Sequence, residues 1–107
     1  EVVSIVPAFI ELIQQGKLGC VVLDDGDWLD IGNPEAYHAV HRQLRPNRTD
    51  AIHPDAEIHA DACVDSETCV IGPKAVIGEG AQLKNTIVWP AAVVEAGSSH
   101  DGAIITR

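Results

Sequence analysis

Aspartates are concentrated in one short stretch of the first half of this chain, and carboxylates at that density are candidate ligands for a hard divalent cation. A calcium-binding EF-hand loop is excluded, because Leu29 and Asp30 occupy its fifth and sixth places, where a ligand and a glycine are required. The spacing alone therefore assigns no metal. The aspartates are Asp24, Asp25, Asp27 and Asp30.

The three cysteines, Cys20, Cys63 and Cys69, are odd in number and contain no CxxC pair. This pattern argues against a disulfide scaffold and against a tetrahedral zinc site, and it favours a reducing cytoplasm. Because Cys63 and Cys69 are six residues apart, we expect both to be packed thiols at equivalent positions of a repeat.

The histidines of the second half give no catalytic constellation. His53 and His59 are also six residues apart, so we expect them to be solvated polar positions, one on each of two neighbouring sides. His100 interrupts a series of aliphatic residues. We interpret it as an irregularity near the end of the repeat rather than as a catalytic base, and the sequence gives no other catalytic candidate.

The charge balance limits the possible partners. Seven basic residues against sixteen acidic residues give a net charge of −9. A nucleic acid or an anionic membrane surface requires Lys and Arg, so neither is an expected partner. No run of about 18 apolar residues exists to cross a bilayer. The first residues also lack the basic region and cleavage site of a secretory signal.

The elements of the first half are predicted from apolar spacing. Phe9, Leu12 and Ile13 recur at three to four residues, which predicts an amphipathic helix over residues 5–16. An apolar run predicts a strand over residues 18–23, and a second short strand is possible at Trp28–Ile31.

Asn33 is predicted to cap a second helix that begins at Pro34 and ends near Leu44. Residues 1–46 are therefore interpreted as one α/β unit. Residues 47–51 are interpreted as a linker, and residues 52–107 as a second unit.

The second unit repeats with a period of six residues. Seven of nine positions spaced by six are β-branched aliphatics, and seven of the nine positions four places later hold small residues. In the middle of the unit a frame one residue later fits better, which predicts one inserted residue near Cys69–Ile71 and one deletion near Thr86–Val88. The nine positions are Ile52, Ile58, Val64, Val70, Val76, Gln82, Val88, Val94 and His100.

This pattern resembles the hexapeptide-repeat family, and the resemblance implies a left-handed parallel β-helix. Three hexapeptides form one coil of 18 residues, so residues 52–105 predict three coils. The aliphatic residues should fill the axis of the stack, and the small residues should occupy its corners. The fold class expected for the whole chain is therefore mainly β, preceded by a short α/β segment.

The segment Trp28–Tyr37 reads WLDIGNPEAY. It resembles the W-x-D-I-G-T-P-x-x-Y element near the end of the catalytic domain in sugar-1-phosphate nucleotidyltransferases, and the mannose-1-phosphate guanylyltransferase-like branch of these NDP-sugar pyrophosphorylases is the most similar. The one departure is Asn33, where threonine is common. The resemblance implies a C-terminal region of an enzyme that converts an NTP and a sugar 1-phosphate into an NDP-sugar and pyrophosphate.

The resemblance also implies a metal role for Asp30, because the matching aspartate in the family helps to hold the Mg²⁺ that bridges the nucleotide phosphates. The family's Gly-rich phosphate loop and its second metal-binding aspartate have no counterpart in this chain. We therefore expect a fragment that is inactive alone, whether it is a designed piece or the product of a truncated gene. Its full-length parent would bind a nucleotide, a sugar phosphate and Mg²⁺.

The repeat unit is expected to support assembly into a homo-oligomer. Trp89 should project outward from a flat side and serve as an interface anchor. Ile104 and Ile105 should lie at an open end of the stack, while the helix at Pro34–Leu44 should cover the other end.

Two alternative functions remain open from the sequence. A hexapeptide-repeat acyltransferase that uses acetyl-CoA would need more coils and a supported catalytic histidine. A purely structural oligomerisation module would need neither. The sugar, the base and any regulatory ligand are not specified by the sequence.

Overall fold

The computed structural model describes residues 3–107. Two α-helices come first, α1 at Val6–Gln14 and α2 at Pro34–Leu44, and a short 3₁₀ helix follows at Arg45–Asn47. Nine short strands occupy the rest of the chain. They are β1 Glu57–Ile58, β2 Cys63–Val64, β3 Val70–Ile71, β4 Val76–Ile77, β5 Gln82–Lys84, β6 Ile87–Val88, β7 Val93–Val94, β8 Ser99–Asp101 and β9 Ile104–Ile105.

The nine strands form three parallel sheets of three strands each, in the orders β1-β4-β7, β2-β5-β8 and β3-β6-β9. The chain visits the sheets in strict rotation, so every circuit contributes one strand to each sheet. This arrangement is that of a β-helix with three circuits, as the repeat predicted. We refer to each circuit as a coil.

The strand register confirms the predicted insertion and deletion. Ile58 pairs with Ile77, nineteen residues later, whereas Ile77 pairs with Val94, only seventeen residues later. The extra residue lies between Val64 and Ile71, and the missing residue lies between Leu83 and Val88. As a result the inward positions of the second coil are those of the later frame, and Val76 and Gln82 face outward.

The core is the interior of the stack. The largest fully buried aliphatic side chains are Ile71, Ile77, Val88 and Val94, which come from the first and third sheets. Small residues close the corners between the sides, as expected. Ala75, Ala81, Ala92, Cys69 and Thr86 are each no more than 1% exposed.

Two corner glycines are required by close approach of the next coil. A Cβ atom on Gly72 would lie 2.7 Å from the backbone nitrogen of Pro90, and one on Gly78 would lie 2.6 Å from the backbone nitrogen of Ala96. Real Cβ atoms do not approach backbone this closely. The second and third coils therefore stack tightly only because these residues lack a side chain.

Helix α2 lies along one side of the stack and does not cover its first end, in contrast to the expectation from the sequence. Its first turns share a cavity with Gly102 and Ile104 of the last coil. The Arg45 side chain just after it donates hydrogen bonds to the carbonyl oxygens of Ser66 and Cys69, at the other end of the stack. The helix therefore runs antiparallel to the direction in which the coils stack.

The outward residues of the third sheet explain why α2 packs there. Val70, Ile87 and Ile104 form an aliphatic column across β3, β6 and β9, and Ile87 is only 3% exposed although it faces away from the stack. The equivalent column of the second sheet is polar, with Cys63, Gln82 and Ser99. A helix packed on the aliphatic column removes apolar surface from water, whereas a helix on the polar column would not.

The predicted strand over residues 18–23 and the possible strand at Trp28–Ile31 are absent from the described structure. Both segments are without regular structure, and Val21, Val22 and Leu23 are 75 to 85% exposed. A strand needs a neighbouring strand for its backbone groups, and no described residue supplies one here. Residues 3–46 therefore contain two helices joined by a segment without regular structure, rather than an α/β unit.

Helix α1 is shorter than predicted and buries no residue, with Phe9 42% exposed. In the described part of the chain, no helix has the length and apolar character needed to cross a membrane.

Candidate functional site

The Trp28–Tyr37 element is a turn that leads directly into α2. Asn33 has an extended backbone, and its side-chain oxygen accepts a hydrogen bond from the Ala36 N–H at 2.8 Å. Pro34 stands at the first helical position, where its missing N–H and fixed φ are compatible with the helix. The predicted helix cap is therefore confirmed, and asparagine performs here the capping role expected of threonine.

Asp30 is held in a fixed turn just before this cap. Its Oδ1 atom accepts a hydrogen bond from the Gly32 N–H at 2.9 Å. A Cβ atom on Gly32 would lie 3.2 Å from the same oxygen, so a glycine leaves room for the carboxylate. The side chain is exposed, and its second oxygen has no hydrogen-bond partner among residues 3–107. Asp30 thus presents one free carboxylate oxygen to its surroundings.

In the described part of the chain, the side chains around Asp30 do not form a metal site. Within residues 3–107, no three His, Cys, Asp or Glu side chains converge on a point where an ion would bind. The neighbouring Asp24, Asp25 and Asp27 are exposed, and they form no three-residue metal-binding group with Asp30. One free carboxylate oxygen suits Mg²⁺ as a single ligand, but an octahedral site needs further oxygens.

The surroundings of the element are apolar and uncovered. Trp28 is 86% exposed and Ile31 is 56% exposed, on either side of Asp30. Tyr37 and Val40, the apolar positions of α2, are half-buried, while Leu44 is 42% exposed. The turn that fixes Asp30 therefore stands on a surface that lacks a packing partner in the described structure.

The predicted interface residues lie in two different places. Trp89 is 43% exposed beside a cavity of about 660 Å³, which it lines with Pro90, Thr106 and Arg107. The Nε of Arg107 donates a hydrogen bond to the Pro90 carbonyl at 3.1 Å and closes one side of this cavity. The outward orientation expected for Trp89 is confirmed.

Ile104 and Ile105 lie on opposite faces of strand β9. Ile105 pairs with Val88 at the last inward position of the third sheet, and it is half-buried. Ile104 faces outward and lines a cavity beside α2 with Pro34 and His38. It therefore contacts the helix side of the stack rather than the open end where the sequence placed it.

The histidines follow the interpretation made from the sequence. The Nδ1 atoms of His53 and His59 accept hydrogen bonds from the backbone N–H groups of Asp55 and Asp61, at 3.1 and 3.2 Å respectively. Each ring thus braces an equivalent corner turn of the first coil. His100 pairs with Leu83 at an inward position of the second sheet and is half-buried.

Of the two cysteines expected to be packed, only Cys69 is buried, and Cys63 is exposed. Cys63 directly precedes the inward residue Val64 and therefore lies on the outer face of β2. The residue inserted after Val64 shifts the frame and places Cys69 at a corner, two residues before the inward Ile71. Burial raises the pKa of the Cys69 thiol, so this thiol stays protonated and unreactive at neutral pH. The prediction that the two positions are equivalent was therefore wrong.

Beside α2, the structure brings together polar side chains that sequence reasoning missed. Arg42 and Asn85 line two adjoining cavities between the helix and the corners of the stack. Arg42 is 43 residues from Asn85 in the chain, and no motif connects the two. Only the position of α2 against the third sheet makes them neighbours.

The chain matches no protein-family model, no curated protein and no solved structure.

Proposed function

We propose that this chain is the C-terminal region of a sugar-1-phosphate nucleotidyltransferase of the mannose-1-phosphate guanylyltransferase-like type. In the full-length enzyme, an NTP and a sugar 1-phosphate become an NDP-sugar and pyrophosphate. The observation that carries the proposal is the WLDIGNPEAY element, which forms a fixed turn and a capped helix immediately before three coils. The left-handed sense of the coils is part of this proposal, since it rests on the hexapeptide resemblance.

The uncovered apolar surface of residues 3–31 supports this assignment. Val22, Leu23 and Trp28 are at least 75% exposed in the described structure. A run that is apolar on both faces is typical of a strand inside a parallel sheet that helices cover on both sides. A catalytic domain that contains such a sheet would bury this run, and it would also position the turn at Asp30.

Asp30 would supply one oxygen ligand to Mg²⁺ in that enzyme. The ion would neutralise charge on the nucleotide phosphates during in-line transfer. The role of this chain's own residues is to hold the Asp30 carboxylate in one orientation, through the hydrogen bond from the Gly32 N–H. The remaining ligands would come from the nucleotide and from residues outside this chain.

The coils would serve assembly or regulation. Trp89 offers a large, partly exposed aromatic surface beside an open cavity, which is a typical interface anchor. We therefore propose a homo-oligomer, with no nucleic acid or membrane partner. The exposed, unpaired thiols of Cys20 and Cys63 favour the reducing cytoplasm as the compartment.

An acyltransferase is the weaker alternative. It would use His100 as a base, but no hydrogen bond to the His100 ring is formed by the described residues. A structural module remains compatible with the three coils, and the assay below distinguishes it from an enzyme.

The test is a pyrophosphate-release assay on the protein encoded by the complete gene, with NTPs and sugar 1-phosphates as substrates. We expect activity in the full-length protein, none in the 107-residue chain, and a loss of roughly 100-fold or more in kcat for Asp30→Asn. Asp24→Asn is the matched control, since it removes an exposed carboxylate outside the turn. A full-length protein without activity on any NTP and sugar phosphate pair would refute the proposal.

Assembly is tested separately by light scattering. We expect a multimer at micromolar concentration and a weaker multimer for Trp89→Lys. A monomer of 11.4 kDa for the unchanged chain would exclude assembly through the coils alone.

A further inference from the structure

Two corner turns of the first coil, His53–Ala56 and His59–Ala62, differ from the equivalent turns of the later coils. Each is closed by a hydrogen bond from the fourth N–H to the first carbonyl. In the later coils the third residue of the turn has a left-handed backbone, whereas Asp55 and Asp61 in the first coil do not. The central peptide of the turn is therefore oriented differently in the first coil. The left-handed third residues are Lys74, Gly80, Ala91 and Gly97.

This orientation decides where the N–H group of the third residue points. In the third coil it points to the preceding coil, as in the hydrogen bond from the Gly97 N–H to the Glu79 carbonyl at 2.7 Å. Among residues 3–107, no coil precedes the first one. Its turn N–H groups donate instead to the Nδ1 atoms of His53 and His59, at 3.1 and 3.2 Å. The two rings thus replace the carbonyl groups that a preceding coil would supply.

These two hydrogen bonds depend on the protonation of the imidazole rings. A ring nitrogen accepts a hydrogen bond only when it carries no proton, so each bond requires a neutral ring with its proton on Nε2. Protonation places a donor on Nδ1, opposite the N–H donor of the turn, and the bond is lost. Histidine is the side chain that makes this change between pH 5 and pH 8.

A carboxylate beside each ring offers the protonated form another partner. The Asp55 Oδ2 atom lies 3.9 Å from the Nδ1 of His53, and the Asp61 Oδ2 atom lies 3.8 Å from the Nδ1 of His59. All four side chains are at least 37% exposed, so an ion pair here adds little stability. Protonation therefore exchanges a contact that fixes the backbone for one that does not.

The other charged groups at these corners carry both signs. Carboxylates attract a protonated ring and are the majority, whereas the basic groups repel it. The carboxylates are Asp50, Asp55, Glu57, Asp61 and Glu79, and the basic groups are Arg48 and Lys74. A protonated ring is therefore held beside the carboxylate of its corner, away from the turn N–H.

The third corner of the first coil contains an acceptor that does not change in this pH range. The Asp65 Oδ1 atom accepts the Glu67 N–H at 3.0 Å. This hydrogen bond is the main reason that the pKa of Asp65 is lowered, so the carboxylate stays ionised between pH 5 and pH 8. One coil thus contains the same contact with a titrating and with a non-titrating acceptor.

We propose that His53 and His59 form a pH switch at the first end of the stack. The neutral rings fix two turns of the first coil, and protonation moves each ring to its carboxylate and releases the turn N–H. The first coil loosens below about pH 6. The later coils stay closed, because the equivalent N–H groups of Lys74, Ala91 and Gly97 donate to backbone carbonyls. The proposal does not depend on the nucleotidyltransferase assignment.

The experiment is NMR of the 107-residue chain at pH 8 and at pH 5. At pH 8, the ring ¹⁵N shifts of His53 and His59 should show an unprotonated Nδ1. Hydrogen exchange, corrected for the intrinsic effect of pH, should show a loss of protection of roughly 5- to 10-fold at the Asp55 and Asp61 N–H groups at pH 5. Protection of the Glu67 N–H should be nearly unchanged.

Three results would overturn the proposal. They are a proton on Nδ1 at pH 8, equal protection of the two N–H groups at both pH values, and an equal loss of protection in all three coils.

Variants assign the effect to the rings. The double variant His53→Asn, His59→Asn supplies an amide oxygen that accepts the same N–H groups at either pH, so protection should persist at pH 5. Asp65→His is the reverse variant and should make protection of the Glu67 N–H depend on pH. His38→Asn is the matched control, because His38 lies beside Ile104 of the last coil, and it should leave the pH response intact. An undiminished response in the folded double variant would contradict the assignment.

Discussion

The coils and the segment before α2 are both rich in aliphatic residues, but the coils bury these side chains and the segment before α2 exposes them. Ile71, Ile77 and Val94 in the coils are no more than 2% exposed, whereas Val21 and Leu23 in the first segment are each 85% exposed. The difference is one of partners. Each coil finds its partner 17 or 19 residues further along the same chain, and the first segment finds none among the described residues.

This contrast shows what a repeat contributes to folding. Because every coil packs only against its neighbours, a short stretch of sequence contains both surfaces of each contact. A strand of a larger sheet contains only one surface of its contacts. The apolar residues of the first segment accordingly stay exposed, because no segment among residues 3–107 packs against them.

Deletion of buried side chains should give the largest difference between the two regions. Ile77→Ala empties the axis of the second coil and should lower the free energy of unfolding of the chain by about 2–5 kcal/mol. Val22→Ala, which removes two methyl groups from a side chain that is 75% exposed, should change it by less than about 0.5 kcal/mol. Urea denaturation followed by circular dichroism measures both.

Equal losses for Ile77→Ala and Val22→Ala would mean that the first segment is packed in solution and that the contrast is wrong. In the full-length protein the two variants should become similar, if a catalytic domain covers Val22.

Glycine substitutions test the stacking itself. Gly78→Ala places a Cβ atom 2.6 Å from the Ala96 nitrogen, so the third coil must shift, at a cost of about 1–3 kcal/mol. Gly19→Ala meets no atom within 4 Å and should cost nothing measurable. Thermal unfolding of the two variants gives the comparison. An unchanged midpoint for Gly78→Ala would show that the coils are stacked more loosely than described.

The sequence was sufficient for the coils because their rule is local. A period of six, with one insertion and one deletion, predicted the inward residues Ile71, Ile77 and Leu83 as well as the number of coils. The predicted cap at Asn33 is equally local, since its acceptor and donor are three residues apart.

The remainder depended on contacts between distant segments. The strand predicted at 18–23 requires a partner strand, and the position of α2 depends on which side of the stack is aliphatic. Arg42 and Asn85 become neighbours only because α2 packs against the third sheet, so no sequence motif predicts that they are close. The role of Asp30 stays a prediction, because no further metal ligands converge on it among residues 3–107.

The junction between the two regions should give an intermediate effect. Arg45→Met keeps the apolar stem of the side chain but removes the donors to the Ser66 and Cys69 carbonyls, which should cost about 1–2 kcal/mol. Hydrogen exchange should accelerate in α2 and stay slow in the coils. Arg48→Met removes only an exposed ion pair and should cost less than about 0.5 kcal/mol. Equal exchange in both variants would show that Arg45 does not fasten the helix.

The smallest effect is expected from pH, at one corner of the first coil. The Asp65 carboxylate accepts the Glu67 N–H at 3.0 Å, and this bond, with a further one from the Thr68 side chain, holds the pKa of Asp65 below its usual 3.8. A lowered pKa in the folded state means that the ionised carboxylate stabilises the fold above pH 3.8. That stabilisation is lost as the pH falls through the lower folded pKa. The difference in stability between the unchanged chain and Asp65→Asn should therefore be constant near neutral pH and shrink below pH 3.8.

Asp50 serves as the comparison for Asp65, because its pKa is lowered by a different cause, an exposed ion pair. Its pKa is also lowered, but chiefly by a hydrogen bond and charge attraction from the exposed Arg48 side chain. Salt screens an exposed ion pair far more than it weakens a hydrogen bond from a backbone N–H. Carboxyl NMR titrations at low salt and at about 0.5 M salt should move the pKa of Asp50 upward and leave that of Asp65 nearly in place. A parallel rise in both pKa values would mean that surface charge, rather than the corner turn of the coil, determines the ionisation of Asp65.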